Sequence, residues 1–199
     1  MVQRKRVGIT AMQRLVTFGD SITDGHYLDN PKTESWPALL SRMLNIPVKN
    51  RAVPGSGNLE ILNNILNFKF KFGDLVIIGW SLLYRDLIFN NIKNRRIAHW
   101  LDRDDYDLWS NIHSETDMAT RSGLYIHHTD LYLKSKNLDC YQFFSGHRKD
   151  KGPKFIKKPN SWINKTIQTV EDYANDNMHP GPISQKLMAE RLFRIINDE

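Results

Sequence analysis

The chain has 199 residues, 40% of them hydrophobic and 25% charged, which is enough to bury the core of one domain and excludes a disordered or fibrous chain. No apolar run is long enough to cross a bilayer, and the basic start, Met1 to Arg6, leads into no apolar signal region, so a cytoplasmic setting is expected. The single Cys140 excludes an internal disulfide and fits a reducing compartment, while the formal net charge of +6 raises the question of an anionic partner. Residues 1–11 are expected to be a loose extension, with one domain over 12–199. Leu15 to Phe18 is a short apolar run ending in Gly19-Asp20-Ser21. That pattern predicts a buried strand entering a tight turn, with a hydroxyl at the strand's carboxyl end. His26 to Lys32 is polar and broken by Pro31. Trp36, Leu39, Leu40, Met43 and Leu44 then recur at helical spacing, with Ser35 as candidate cap and Pro37 in the first turn.

Pro47 stops that helix, and Val48 to Val53 reads as a second strand. The small-residue loop Pro54 to Asn58 precedes a helix through Phe68, with Leu59, Leu62, Ile65 and Leu66 on one side. Leu75 to Ile78 is continuously apolar, as in a central parallel strand covered on both faces. Leu82 to Asp107 is mixed and aromatic-rich, and reads as a long excursion over the same edge with some helix. Its cluster of Asp102, Asp104, Asp105 and Asp107 lacks the glycine and distal Glu of a calcium loop. Leu108 to Lys136 reads as mostly helical, weakened at Gly123. The adjacent His127 and His128 point in different directions on a helix and make a poor metal pair. Leu138 to Phe144 suits a fourth strand. Arg148, Lys149, Lys151, Lys154, Lys157 and Lys158 fall in one loop, 147–158, which is a solvated basic loop or a substrate rim. Trp162 to Tyr173 is a short helix or an irregular segment. Ile183, Leu187, Leu192, Ile195 and Ile196 mark a closing helix, with Glu190 and Arg194 as an i,i+4 pair. Strands alternating with helices predict an α/β fold with a parallel sheet and right-handed crossovers.

The chemistry gathers at strand ends. In open α/β sheets ligands collect at the carboxyl edge, where Ser21 is expected. A serine hydroxyl becomes a nucleophile when a base takes its proton. Asp176-Asn177-Met178-His179 supplies a carboxylate and an imidazole three residues apart, so the acid can hold one ring nitrogen while the other faces the hydroxyl. Gly55 lies between strand and helix, where its N–H can point at a developing oxyanion or where it is merely a turn glycine.

Three stretches in this order, Phe18 to Gly25, Asn50 to Asn58 and Asp176 to His179, together resemble the sequence blocks of the SGNH (GDSL) hydrolase family over residues 15 to 182. The resemblance implies a flavodoxin-like three-layer α/β/α sandwich of about five strands, four of which are placed above. It implies a serine esterase working without cofactor or metal, with Ser21 as nucleophile, His179 as base and Asp176 orienting the imidazole. The oxyanion would be held by the N–H groups of Ser21 and Gly55. The family has Gly-x-Asn-Asp after the third strand, whereas this chain has Ile78-Gly79-Trp80-Ser81, as in a variant similar to phage and bacterial members. Ser81 then becomes the candidate third oxyanion donor, and Asp20, Asn58, Trp80 and Arg85 the candidate substrate-binding residues. Family substrates are lipids, thioesters and acetylated sugars. The polar, aromatic and basic rim favours a short-chain acyl or carbohydrate O-acetyl ester.

A rival reading is a binding module that keeps the fold without turnover and holds a glycan or anionic partner. Ser81 and the basic loop support it, and the intact Ser21, Asp176 and His179 speak against it. A nucleic-acid partner is a weaker option, since no recognisable motif accompanies the basic residues; steep salt dependence of binding would reveal it.

Overall fold

The computed structural model describes residues 12–83, 85–89, 94–97, 114–145, 153 and 159–197. The expected extension 1–11, the acidic cluster and the basic residues of loop 147–158 lie outside the described residues. In chain order the elements are β1 (Arg14–Phe18), α1 (Ser21–Asp24), α2 (Pro31–Glu34), α3 (Trp36–Leu44), β2 (Val48–Asn50), α4 (Asn58–Leu66), β3 (Asp74–Trp80), β4 (Asp86–Phe89), β5 (Asn94–Ile97), α5 (Glu115–Ser135), β6 (Asp139–Phe144) and α6 (Pro182–Ile196).

Four strands form one sheet in the order β2-β1-β3-β6, and every neighbouring pair is parallel. All seven residues of β3 are buried, which is why its sequence is apolar without alternation. The period of two sends successive side chains to opposite faces. Leu15, Leu75 and Ile77 meet Trp36 and Leu40 of α3 and Met188 and Leu192 of α6. Val16, Phe18, Val76, Ile78 and Trp80 meet Ile61 and Ile65 of α4 and Ile126 and Leu133 of α5. The result is the parallel α/β fold that the alternation of strands and helices predicts, in the three-layer α/β/α arrangement that the resemblance implies. Beyond β6, Gln142 N–H donates to the Ser161 carbonyl at 2.8 Å and Ile163 N–H to the Gln142 carbonyl at 2.8 Å. This parallel bridge, Gln142 with Trp162, stands in the place of a fifth strand within an otherwise irregular segment.

At the amino edge of the sheet, Arg14 holds Asp74 across β1 and β3 with two bonds of 2.8 and 2.7 Å. The carboxyl edge is left to the site.

Several expectations are corrected. Pro31 opens α2 instead of breaking the chain, because the first helical position has no use for a backbone N–H. Ser35 occupies the cap position of α3 without a capping side-chain bond, and the Trp36 N–H instead donates to Gln185 Oε1 at 2.8 Å. α4 stops at Leu66, which frees Phe68 and Phe70 to stack against Phe18 at 5.5 and 6.0 Å. In the stretch after Leu82, β4 and β5 pair antiparallel, and the rest of the expected excursion lies outside the described residues. Gly123 does not interrupt α5. Glu190 lies 3.9 Å from Lys186 rather than paired with Arg194. Cys140 sits in β6, partly buried. No described helix is long and apolar enough to cross a membrane.

Candidate active site

The site starts where β1 ends. A Cβ at Gly19 would stand 2.9 Å from the Gly79 carbonyl and would collide with Thr23 Oγ1, so only glycine lets the turn pass this close to β3. Asp20 follows and caps α1, its Oδ1 accepting from the Ile22 N–H at 3.0 Å. Ser21 is the first helical residue and is 4% exposed.

The opposite wall comes from the chain's other end. Asn177 takes a left-handed conformation, φ 56°, which asparagine tolerates better than most residues. That bend lets Asp176 Oδ1 accept from the N–H groups of Met178 and His179 at 3.1 and 3.0 Å. Asp176 Oδ2 lies 2.5 Å from His179 Nδ1, and His179 Nε2 lies 2.9 Å from Ser21 Oγ. A carboxylate only accepts, so in the neutral ring Nδ1 carries the proton and Nε2 accepts from the serine hydroxyl. Burial pushes the Asp176 carboxyl up. The hydrogen bonds from the His179 N–H, the imidazole and the Met178 N–H, with the imidazole's charge, outweigh burial and hold it down at about 2. Asp176 is therefore a carboxylate at neutral pH.

Ser21, Gly55, Arg85 and His179 line one cleft of about 560 Å³. Gly55 has φ 77°, a turn conformation open to glycine. The N–H groups of Ser21 and Gly55 donate to no other described residue.

The other residues singled out in the sequence occupy different roles. Ser81 is fully buried and does not line the cleft; its hydroxyl donates to Asp20 Oδ2 at 2.8 Å. Arg85 lines the cleft and reaches the same Asp20 oxygen at 3.1 Å, and Ser81 Oγ at 3.3 Å. Asn58 is buried and bridges the backbone of Ser81: its Oδ1 accepts from the Ser81 N–H at 2.8 Å, and its Nδ2 donates to the Ser81 carbonyl at 3.1 Å and to Ser122 Oγ at 3.0 Å. Trp80 is wholly buried against α4 and α5, with Nε1 donating to Gln142 Oε1 at 2.9 Å. As substrate-binding residues, Asn58 and Trp80 are thus corrected to supports, and Ser81 is corrected from oxyanion donor to strut. Strand-end position alone does not say which way the side chain turns.

Conversely, Tyr27 and Met178 line the cleft without having been singled out, and His26 joins them. An exposed aromatic in a polar loop carries no periodic signal that would have marked Tyr27. Among the described residues no group of three or more His, Cys, Asp or Glu could hold a metal ion.

No protein-family model matches the sequence, and no curated protein matches it. Solved structures do. The psychrotrophic esterase EstA from Pseudoalteromonas sp. is similar with a TM-score of 0.57 and 13% identity, over 94% of this chain and 97% of that one. A protein assigned to the lipolytic G-D-S-L family from Desulfitobacterium hafniense gives 0.50 and 16%, over 92% and 99%. The acetyl xylan esterase Est2A from Butyrivibrio proteoclasticus gives 0.52 and 14%, over 94% of this chain and 64% of that one. Likeness at such low identity is a likeness of fold, and the chain adopts the α/β fold of the SGNH (GDSL) hydrolases.

Proposed function

We propose that the protein is a serine hydrolase that transfers the acyl group of a carboxylic ester to water. The observation that carries this reading is the continuous relay from Ser21 Oγ to His179 Nε2 and from Nδ1 to Asp176, within one cleft. Ser21 Oγ attacks the ester carbonyl while His179 Nε2 takes its proton. The carbonyl oxygen becomes an oxyanion beside the N–H groups of Ser21 and Gly55. Each such donor is worth on the order of a hundredfold to a thousandfold in rate. Collapse breaks the bond to the alcohol oxygen, and His179 returns the proton to it. Water, deprotonated by the same nitrogen, then releases the acid and restores Ser21. Asp176, ionised at any pH where the enzyme would work, keeps the imidazole in the required tautomer and balances its charge.

The ester is read as one with a short acyl group or as an O-acetyl ester of a carbohydrate. One of the similar structures supports this class: Est2A is an acetyl xylan esterase.

Labelling with a fluorophosphonate tests the reading, because that probe reacts with an activated serine hydroxyl. Wild type is expected to label and to hydrolyse p-nitrophenyl acetate. Ser21→Ala is expected to do neither, and His179→Ala to label far more slowly. A wild type that hydrolyses the ester without being labelled would remove Ser21 as nucleophile. A wild type that does neither would favour a binding module on the same fold.

A further inference from the structure

Tyr27 stands in the left-handed region, φ 66°, where a bulky side chain is strained and where Gly, Asn or Asp would sit more easily. The surrounding chain holds it there. Its carbonyl accepts from the Asn175 N–H at 3.2 Å, Asn175 Nδ2 donates to Asp29 Oδ1 at 2.8 Å, and the Leu28 N–H bonds back to the Gly25 carbonyl at 3.2 Å. The loop is thereby pinned to the turn that carries Asp176 and His179. The strained conformation does not serve to bury the ring, which is 47% exposed. Instead the ring lies on the cleft, with its centroid 5.4 Å from that of His179 and 4.1 Å from that of His26. Strain that the surroundings enforce at a site is a pointer to function.

Reaction chemistry says which part of a substrate would meet this ring. His179 must return its proton to the departing alcohol oxygen, so the alcohol lies on the imidazole side of the cleft, where Tyr27 and His26 stand. Resting on the ester-hydrolase reading, we propose that Tyr27 and His26 form the alcohol-side subsite, and that the alcohol is a sugar ring. Its C–H face lies on the Tyr27 ring, and its ring and substituent oxygens lie within reach of the His26 imidazole N–H. An exposed aromatic face next to a hydrogen-bonding ring suits a partner with one apolar face and a polar edge. A simple alkyl alcohol offers His26 no partner. Tyr27 is on this view a residue that determines specificity.

The test compares kcat/KM for xylose tetra-acetate with kcat/KM for ethyl acetate. In wild type the ratio favours the sugar ester. Tyr27→Asn, which suits the left-handed backbone but removes the ring, lowers that ratio about tenfold, the size of one aromatic contact. Tyr27→Phe keeps the ratio within about twofold, since the face and not the hydroxyl makes the contact. The thermal midpoint of Tyr27→Asn is no lower than that of wild type. A ratio that stays the same in Tyr27→Asn, or an equal loss on both esters, overturns the subsite and leaves Tyr27 as a neighbour of His179. A second readout separates this idea from the parent reading. Xylose tetra-acetate is titrated calorimetrically into Ser21→Ala and into Ser21→Ala/Tyr27→Asn. Binding to the first that is lost in the second supports the subsite even if wild type neither hydrolyses esters nor labels at Ser21. Absence of binding to Ser21→Ala overturns it even if the hydrolase reading stands.

Discussion

Asp20 accepts hydrogen bonds from three places in the chain: the Ile22 N–H, the Ser81 hydroxyl and the Arg85 guanidinium. Side-chain exposure of 2% for Asp20 and 12% for Arg85 makes this a largely desolvated ion pair. Removing one member of such a pair strands the other's charge and costs about 3–5 kcal/mol. Because Asp20 precedes Ser21 and caps its helix, the same loss would let the nucleophile drift. Arg85→Ala is therefore expected to lower urea stability and kcat together, with KM little changed. Arg85→Lys is expected to recover only part of each, since an ammonium is a point charge without the guanidinium's fork. Ser81→Ala removes one neutral donor and should cost less, about 1–3 kcal/mol. Urea titrations and steady-state kinetics on the three variants check the order. Full kcat in Arg85→Ala would show that the pair does not aim Ser21. The strand-end position of Ser81 and Arg85 was legible from the apolar run Leu75 to Ile78. Their role was not, because the partner that fixes a hydroxyl, here Asp20, is 61 residues away.

The crossing of the Gly19 turn over β3 sets the depth of the site. A Cβ at Gly19 meets the Gly79 carbonyl at 2.9 Å, and one at Gly79 meets Thr23 Oγ1 at 2.7 Å and Ser145 Oγ at 2.8 Å. Backbone on one side of the first contact leaves little room to adjust. Gly19→Ala is expected to cost about 1–3 kcal/mol, as overpacking does, and to lower activity further by moving Ser21 off His179. Circular dichroism melts with ester assays check both effects; an alanine variant with wild-type stability and rate would mean the turn is plastic. This element was readable in advance, since an apolar run, a glycine and a polar turn carry their own signals. So were the four sheet strands, although β2 ends at Asn50, short of the expected Val53. β4 and β5 were not, because Asp-Leu-Ile-Phe and Asn-Arg-Arg-Ile are too short for a period to stand out from the mixed stretch around them. The anchoring of α6 was half legible. Pro182 announces its start, but its first N–H groups, from Ile183 and Ser184, are satisfied by Asp172, ten or more residues earlier.

Across the whole molecule, the sheet brings together two ends of the chain, since 158 residues separate Ser21 from His179. The segment that closes this distance is held by two carboxylates, Asp172 at the start of α6 and Asp176 beside His179. Both lie below the ordinary carboxylate range. In each, burial opposes ionisation and hydrogen bonds outweigh it: the Ser184 hydroxyl and the N–H groups of Ile183, Ser184 and Asp172 for the first, and the His179 and Met178 donors for the second. A group depressed on folding lends its stability above its unfolded value, about 4, and withdraws it as pH falls through the folded value. The contribution of this pair should thus be constant from neutral pH down to about 4 and fade below it, for Asp176 down to about 2. Protonation also adds to a net charge that is already +6, so self-repulsion acts in the same direction. Thermal midpoints followed from pH 7 to pH 2 are expected to hold level and then drop below pH 4. Asp172→Asn and Asp176→Asn should each flatten that drop, because an amide has no proton to gain. Only Asp176→Asn should also slow hydrolysis steeply at neutral pH, since the amide carries no charge to balance the imidazolium and can turn its NH2 toward Nδ1, which favours the wrong tautomer. A midpoint that falls mainly between pH 7 and 5, with the same slope in both variants, would assign the acid sensitivity to other groups and remove these carboxylates as the clasp that holds the site closed.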